Sequence, residues 1–360
     1  MHKYEVMKIL HVINVPDSTA NGIRQCIMRL QQSQQLLGHD VSVLNVFAKR
    51  IFPLRVSKSI LSQIDVVIFH SVYCFNYLVI AKMLRRKGIP YLVELHGALS
   101  ETNFRKNKLS KKIALFFAFN SFLKAANSII YLNEGEKRNS IVTKINPNAV
   151  IIPNGCDIDE NGSCKKEFCE RKVEIVFLGR MNDVYHKGID ILIEALQLAE
   201  QKDVQEVYVS FYGPKSKNKQ QQDWFEHQIL RLQQLARYCG GIYGEDKTRM
   251  LYNSDILILP SRSEGMPMVV LEALACGVPC IVSKTSNMCD IISQYSCGWV
   301  IEELTPEGIV DAVNRAVEDL KNNRKQLSEN AFRAAKAYSW KEIANISVKK
   351  YQQIINHKTN

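Results

Sequence analysis

Short apolar runs alternate along the chain with longer stretches whose apolar positions recur at helical spacing. In the first part the runs are residues 8–15 (KILHVINV), 41–46, 65–69 (DVVIF), 90–95 (PYLVEL), 128–132 (SIIYL) and 149–152 (AVII). Runs that are apolar throughout predict strands buried on both faces, as in a parallel sheet, and helices between them predict βαβ units. Residues 22–37 read as the first helix, stopped by Gly38. The alternation breaks at Pro153-Asn154-Gly155, a turn signal, and residues 156–170 are polar without a period. It restarts with strands at 173–178, 207–212, 256–259 and 279–283 and helices at 188–200, 222–238 and 267–275. Ile189, Leu192, Ile193 and Leu196 fall on one helical face, as an inward stripe should. From Thr305 onward the pattern is almost wholly helical. The expected architecture is α/β, with two successive doubly wound, Rossmann-like domains. Their expected bounds are 1–153 and 172–338, with a linker over 154–171 and a last helix over 339–360 packing back toward the first domain.

Length supports two domains, since 360 residues is about twice the size of one. Charge changes the picture more. The formal net charge is +11, but residues 1–150 hold 21 Lys+Arg against 8 Asp+Glu, and residues 151–360 hold 26 against 28. The first half is therefore basic and the second near neutral, which points to an anionic surface as a partner of the first half. The longest uninterrupted apolar run is residues 113–119, far short of the roughly 20 needed to span a bilayer. Glu5 and Lys8 flank the first apolar run, so no signal peptide is expected, and Met7-Lys8-Ile9-Leu10 itself looks like a beginning. The ten cysteines include no C-x-x-C pair and no usual zinc spacing. They read as reduced thiols of a cytoplasmic protein, most of them buried as small apolar residues.

Open parallel sheets bind ligands at the carboxyl ends of their strands, and four places there carry unusual residues. Ser18-Thr19-Ala20-Asn21-Gly22 joins the first strand to the first helix. Gly22 permits close backbone approach to a ligand, and the same residues also suit a plain capped turn. His96-Gly97 follows the PYLVEL strand, where a histidine is placed either to contact a ligand or to serve as a satisfied structural residue. Gly179-Arg180 leaves the first strand of the second half, and Lys187-Gly188 precedes the next helix. A guanidinium fork and an ammonium beside a helix start can neutralise a diphosphate without a metal. Pro260-Ser261-Arg262-Ser263-Glu264-Gly265-Met266-Pro267 follows the ILIL strand, and Glu272 lies eight residues after Glu264. Carboxylates are poor phosphate partners but good acceptors for hydroxyl pairs. One glutamate for a sugar and one for a ribose make a coherent nucleotide-sugar site. No dinucleotide G-x-G-x-x-G is present, which argues against nicotinamide or flavin chemistry.

These residues resemble the retaining GT-B glycosyltransferases of glycosyltransferase family 4, the glycosyl transferases group 1. The resemblance rests on Glu264-x7-Glu272 within SRSEGMPMVVLEALACGVPCI, on Gly179-Arg180 with Lys187-Gly188, on IPNGCD at 152–157 and on His96-Gly97. It implies that Arg180 and Lys187 beside Gly179 hold a donor diphosphate, Glu264 the transferred sugar and Glu272 the ribose. It further implies that amides around Gly265, Met266 and Pro267 support sugar and phosphate. Gly22 would belong to a loop approaching the phosphates and acceptor, and His96 would face the sugar near the reacting carbon. Two positions depart from the family: Asn21-Gly22 stands where many members have Gly-Gly, and Met266 stands where many have an aromatic. The implied reaction is metal-free transfer with retention from a UDP-sugar to a saccharide or lipid-linked saccharide in surface polysaccharide synthesis. The implied step is a front-face displacement as the domains close, the leaving diphosphate taking the acceptor hydroxyl's proton. Paired acids of the hydrolase kind are not evident.

Residues 104–124 (FRKNKLSKKIALFFAFNSFLK) surround apolar residues with Arg105, Lys106, Lys108, Lys111, Lys112 and Lys124. Such a segment suits an anionic membrane surface on the inner face of the cell membrane, and equally a domain helix with a solvated basic face. Two other readings stay open at this point. One is another GT-B enzyme, a sugar-nucleotide epimerase or a phosphorylase, the latter carrying pyridoxal phosphate. The other is a basic nucleic-acid-binding protein, for which no reading motif is present, so no nucleic-acid partner is expected.

Overall fold

The structure is a computed structural model that describes residues 6–16, 22–47, 63–97, 99, 118–159, 172–202 and 206–356. The chain divides into two units, Met1–Gly155 together with Trp340–Asn360, and Cys156–Ser339.

The first unit is built on strands β1 (Lys8–Ile13), β2 (Asp40–Asn45), β3 (Val66–His70), β4 (Tyr91–Glu94), β5 (Ser128–Tyr131) and β6 (Ala149–Ile151). They pair in the order β2-β1-β3-β4-β5-β6, all parallel. Every residue of β3, β4 and β5 is buried, which is why these strands read as continuous apolar runs. Helices α1 (Gly22–Leu36), α2 (Phe75–Arg86), α3 (Asn120–Lys124) and α4 (Glu134–Arg138) connect them. The core gathers Phe69, Tyr77, Tyr91 and Phe122, with Tyr91 and Phe122 stacked at 5.5 Å. The basic stretch 104–124 lies outside the described residues up to 117. Its described end sends Phe119 and Phe122 into this core rather than to a surface.

The second unit uses β7 (Val173–Leu178), β8 (Val207–Tyr212), β9 (Ala236–Gly240), β10 (Ile256–Leu259), β11 (Cys280–Ser283) and β12 (Gly298–Ile301). Their order is β12-β11-β10-β7-β8-β9, again all parallel. The helices are α5 (Val184–Lys187), α6 (Ile189–Gln201), α7 (Lys219–Arg231), α8 (Gly244–Tyr252), α9 (Met268–Ala275), α10 (Cys289–Tyr295) and α11 (Pro306–Ala337). Thr305 caps α11, its hydroxyl accepting from Gly308 N–H, and Pro306 sits in the first turn, where its missing N–H costs nothing. The expected stripe of α6 is buried.

The expected helix over 222–238 is corrected: α7 ends at Arg231 and Ala236–Gly240 is a strand. Leu232 and Leu235 continue the helical spacing and are buried, yet the chain has already left the helix. β9 is an edge strand with one neighbour, so it keeps an exposed Arg237 and lacks the all-apolar signature.

The last helix, α12 (Trp340–Asn356), belongs to the first unit and packs on α1. Gln34 donates to Ser347 Oγ (2.9 Å) across that contact. Gly155 is fitted to Trp340, because a Cβ there would stand 2.6 Å from the indole. No disulfide forms among the described cysteines. Among the described residues, no helix is long and apolar enough to cross a membrane.

Candidate functional site

In the second unit, the sheet reverses its direction of winding between β7 and β10, the place where open α/β sheets bind ligands. Gly179 and Arg180 leave β7 there, and Pro260 to Gly265 leave β10. Gly188 joins the two loops. Its φ is +68°, and a Cβ on it would lie 2.0 Å from the Pro260 carbonyl oxygen. Only glycine lets the start of α6 press against the end of β10 in this way. The consequence is that Lys187 Nζ reaches Glu264 Oε1 at 2.7 Å, with side chains 18% and 14% exposed. The Lys187 stem also passes Gly179, 3.8 Å from where a Cβ would stand.

The loop carrying Glu264 is pinned on both sides by residues the sequence did not single out. Arg262 donates to the Tyr185 carbonyl oxygen (2.6 Å), pairs with Asp190 (2.6 Å) and lies over the Tyr185 ring at 4.2 Å. From the other side, Asn287 donates its amide to the Glu264 carbonyl (2.6 Å), and Glu264 N–H donates to the Thr285 carbonyl (3.2 Å). Asn287 adopts φ +60°, a left-handed conformation asparagine tolerates better than most residues. Replacing Asn287 by alanine is expected to loosen this loop. Donor KM should rise by about tenfold with a small change in melting temperature, read by initial rates and thermal melts.

Met266 and Pro267 are buried, and Pro267 precedes α9 as its cap residue rather than lying in the first turn. Glu272 sits in the second turn of α9 and pairs with Lys247 of α8 at 2.7 Å. Thus Gly179, Lys187, Glu264 and Gly265 are brought together, with Glu272 on the helix that follows. Arg180 is exposed at the same edge, and its guanidinium makes no hydrogen bond or ion pair among the described residues.

The first unit carries Gly22 and His96. Gly22 opens α1 and is exposed, and a Cβ added there meets nothing within 4 Å. The rest of its loop, 17–21, lies outside the described residues. Gly22→Ala is therefore expected to leave the melting temperature within about 2 °C, with any loss appearing only in transfer rate.

His96 follows β4 at φ +50°, with Gly97 next at +74°, so the chain turns through two left-handed residues. The His96 side chain is 7% exposed and turned inward. Its Nε2 lies 3.1 Å from His70 Nδ1, and its Nδ1 lies 3.5 Å from Glu94 Oε1. His70 Nδ1 also meets Glu94 Oε2 at 3.1 Å, and His70 Nε2 meets His11 Nδ1 at 2.8 Å. His11 Nε2 faces the Gln34 oxygen at 3.0 Å. Below the turn, Glu136 accepts from Gly97 N–H and from Leu132 N–H, both at 2.6 Å. Among the described residues, His70, Glu94 and His96 form the one group of three whose possible metal-binding atoms lie within 4.8 Å of each other. Those atoms already face one another at hydrogen-bond distances.

Burial drives His11 down to about 3 and lowers His96 as well. Burial pushes Glu136 the other way, up to about 7, against the pull of its two amide donors. Between pH 3 and 6.5 the folded state binds fewer protons at His11 than the unfolded state, so that stability is lost as pH falls through this range. Glu136 contributes the opposite slope between 4.5 and 7, its stabilisation being lost as pH rises. The two oppose each other above pH 4.5 and only the histidine slope remains below it. Thermal melts should therefore show a steep loss of stability from pH 4.5 to 3, shallower in His11→Gln.

Two six-stranded parallel sheets, one with its charged and carboxylate loops at the switch point, are the architecture of GT-B glycosyltransferases. Family models agree with it. The one described as "Glycosyl transferases group 1" matches residues 160–334, and the one described as "Glycosyltransferase Family 4" matches residues 43–160. An uncharacterised glycosyltransferase of Methanocaldococcus jannaschii is 23% identical over 304 residues, 83% of this chain and 79% of that protein. A glycosyltransferase structure from Rickettsia africae superposes with TM-score 0.73 at 15% identity, covering 98% of this chain and 99% of that one. The Anabaena protein HepE in complex with UDP superposes with TM-score 0.73 at 16% identity, covering 96% and 100%. The chain belongs to the GT-B glycosyltransferases, in the group 1, family 4 type, and is a glycosyltransferase.

Proposed function

We propose that the chain moves a sugar from a nucleoside-diphosphate sugar, a UDP-sugar, with retention, to a saccharide or lipid-linked saccharide of a surface polysaccharide. The observation that carries this reading is the Lys187–Glu264 pair at the β7/β10 switch point, with Arg180 exposed beside it and its guanidinium without a partner among the described residues. Cations suited to a diphosphate stand next to a carboxylate suited to sugar hydroxyls, on one edge of one sheet. UDP bound to the Anabaena protein of the same fold supports the choice of nucleotide.

In the reaction, the bond from the anomeric carbon to the phosphate oxygen breaks, and a bond to the acceptor oxygen forms on the same face. The acceptor's proton passes to the departing phosphate. Arg180 and Lys187 stabilise the charge that grows on the diphosphate, aided by the amide end of α9. Glu264 holds the sugar by its hydroxyls and Glu272 the ribose. Lys187 thus exchanges a carboxylate partner for a phosphate one, and Lys247 holds Glu272 in place meanwhile.

A panel of nucleotide-sugars scored by thermal shift and by slow hydrolysis tests the reading. One UDP-sugar should stabilise the protein by several degrees and the others less, whereas no shift with any nucleotide would refute it. Transfer is expected to be unchanged in EDTA. Loss on chelation with recovery in magnesium would overturn the metal-free part.

The basic first half supports an anionic membrane surface as the place of work. Lys82, Arg85 and Arg86 of α2 line a cavity of about 520 Å³ with Tyr91, Ala118 and Phe122. Flotation with vesicles containing anionic lipid should carry the protein upward at low salt and release it at high salt.

A further inference from the structure

Three histidines whose buried rings touch in series, His11, His70 and His96, call for an explanation. His11 stands in the middle of β1 and His70 at the end of β3, each 0–1% exposed, where a parallel sheet ordinarily holds valine or isoleucine. Buried polar groups are costly wherever a partner is lacking, so an apolar core would be safer. Here the ring nitrogens of His11 and His70 are each partnered, and the bonds run in one line.

Ser347 on α12 donates to the Ala344 carbonyl (2.8 Å) and accepts from the Gln34 amide nitrogen (2.9 Å). The Gln34 oxygen therefore faces His11 Nε2, which carries the proton. His11 Nδ1 is then an acceptor, and His70 Nε2 is its donor. His70 Nδ1 is then an acceptor in turn and takes the proton of His96 Nε2 (3.1 Å), while the Glu94 carboxylate lies 3.1 Å from the same nitrogen and 3.5 Å from His96 Nδ1 with no ring proton directed at it. The backbone of the same place is held too: Tyr77 OH donates to the His70 carbonyl (2.8 Å), and Ser71 N–H to the Glu94 carbonyl (2.8 Å). The line ends at a turn that would not persist alone, since a histidine at φ +50° is strained. Glu136 grips that turn from its other side through Gly97 N–H.

We propose that His70, His11 and Gln34 from one side and Glu136 from the other are positioning residues that hold the His96–Gly97 turn in its left-handed conformation for the sugar. This rests on the reading, made above, that His96-Gly97 meets the donor sugar. The relay fixes the ring and its proton arrangement, and the carboxylate of Glu136 fixes the peptide that follows. Displacing the turn by about 1 Å costs on the order of a hundredfold in rate.

The test uses the full chain. His70→Ala should lower kcat about tenfold to hundredfold with donor KM unchanged, and imidazole should restore part of it by filling the gap with two nitrogens. Pyrrole fills the same gap but offers no acceptor, so equal rescue by pyrrole would reduce the relay to packing and overturn the proposal. Glu136→Gln, which sets an NH2 donor against one of the two amides that Oε1 and Oε2 now accept from separately, should show the same kcat loss at unchanged KM, and wild-type kcat in either variant overturns the proposal. Should His70→Ala fail to fold, nitrogen-15 histidine spectra of the wild type decide. Slowly exchanging ring N–H protons at His11 Nε2 and His70 Nε2 support the relay, and rapidly averaging tautomers refute it. Donor binding separates the two readings. If Glu264→Ala binds UDP-sugar as the wild type does, the donor site is wrong, whereas the ring spectra bear on the relay alone.

Discussion

Glu264→Ala is expected to lower kcat/KM for sugar transfer by at least about a thousandfold while the protein stays folded. Two losses combine. On the proposed function the sugar hydroxyls lose their acceptor, and Lys187 loses the partner that holds its ammonium at the edge of β10. Single preorganised groups at a charge-developing centre are worth about 10²–10³ in rate, and this residue does both jobs. The fold should tolerate the change, because the pair is partly solvated and Lys187 can turn to water. Radiolabelled sugar transfer and a thermal melt check both halves of the statement, and full activity would remove Glu264 from the site. Arg180→Ala makes a cleaner companion. Its guanidinium has no partner among the described residues, so its removal should leave the melting temperature unchanged and appear only in donor use.

Gly188→Ala is expected to produce the largest loss of stability of any single methyl added to this site, about 2–4 kcal/mol. The added Cβ would stand 2.0 Å from a backbone oxygen at φ +68°, so neither a rotamer nor a side-chain shift relieves it. Either α6 or the Pro260 loop must move, and Lys187 and Glu264 move with them. Urea unfolding should show a lowered midpoint, and UDP should give little thermal shift. Gly38→Ala provides the control. It has positive φ but open space, so its cost should be nearer 1 kcal/mol.

Much of the second unit was legible in the sequence because its site is built from loops that directly follow strands. Arg180 after VEIVFL, and Glu264 after ILIL, are placed at a sheet edge by chain continuity alone. What the loops do to one another was not legible. Lys187 and Glu264 are 77 positions apart, and Arg262, Thr285 and Asn287 pin the loop through bonds that residue type does not announce. In the first unit, His96 stood out by its place beside a glycine, but its inward ring did not. His11 passed as an ordinary member of the first apolar run, and neither His70, just past the run at 65–69, nor Glu136 stood out.

The sequence by itself determined the class of fold, the two sheets and the cations and carboxylates at the switch point. Burial on both faces writes itself locally, as apolar runs, and glycine marks tight turns wherever they fall. Tertiary structure alone decided that strand 236–240 leaves the helix before it and that a line of polar side chains crosses the core of the first unit. The physical reason is range. Hydrophobic periodicity is a property of neighbours along the chain, whereas a buried hydrogen bond needs a partner set by sheet order, as Gln34 and Ser347 show from 313 positions apart.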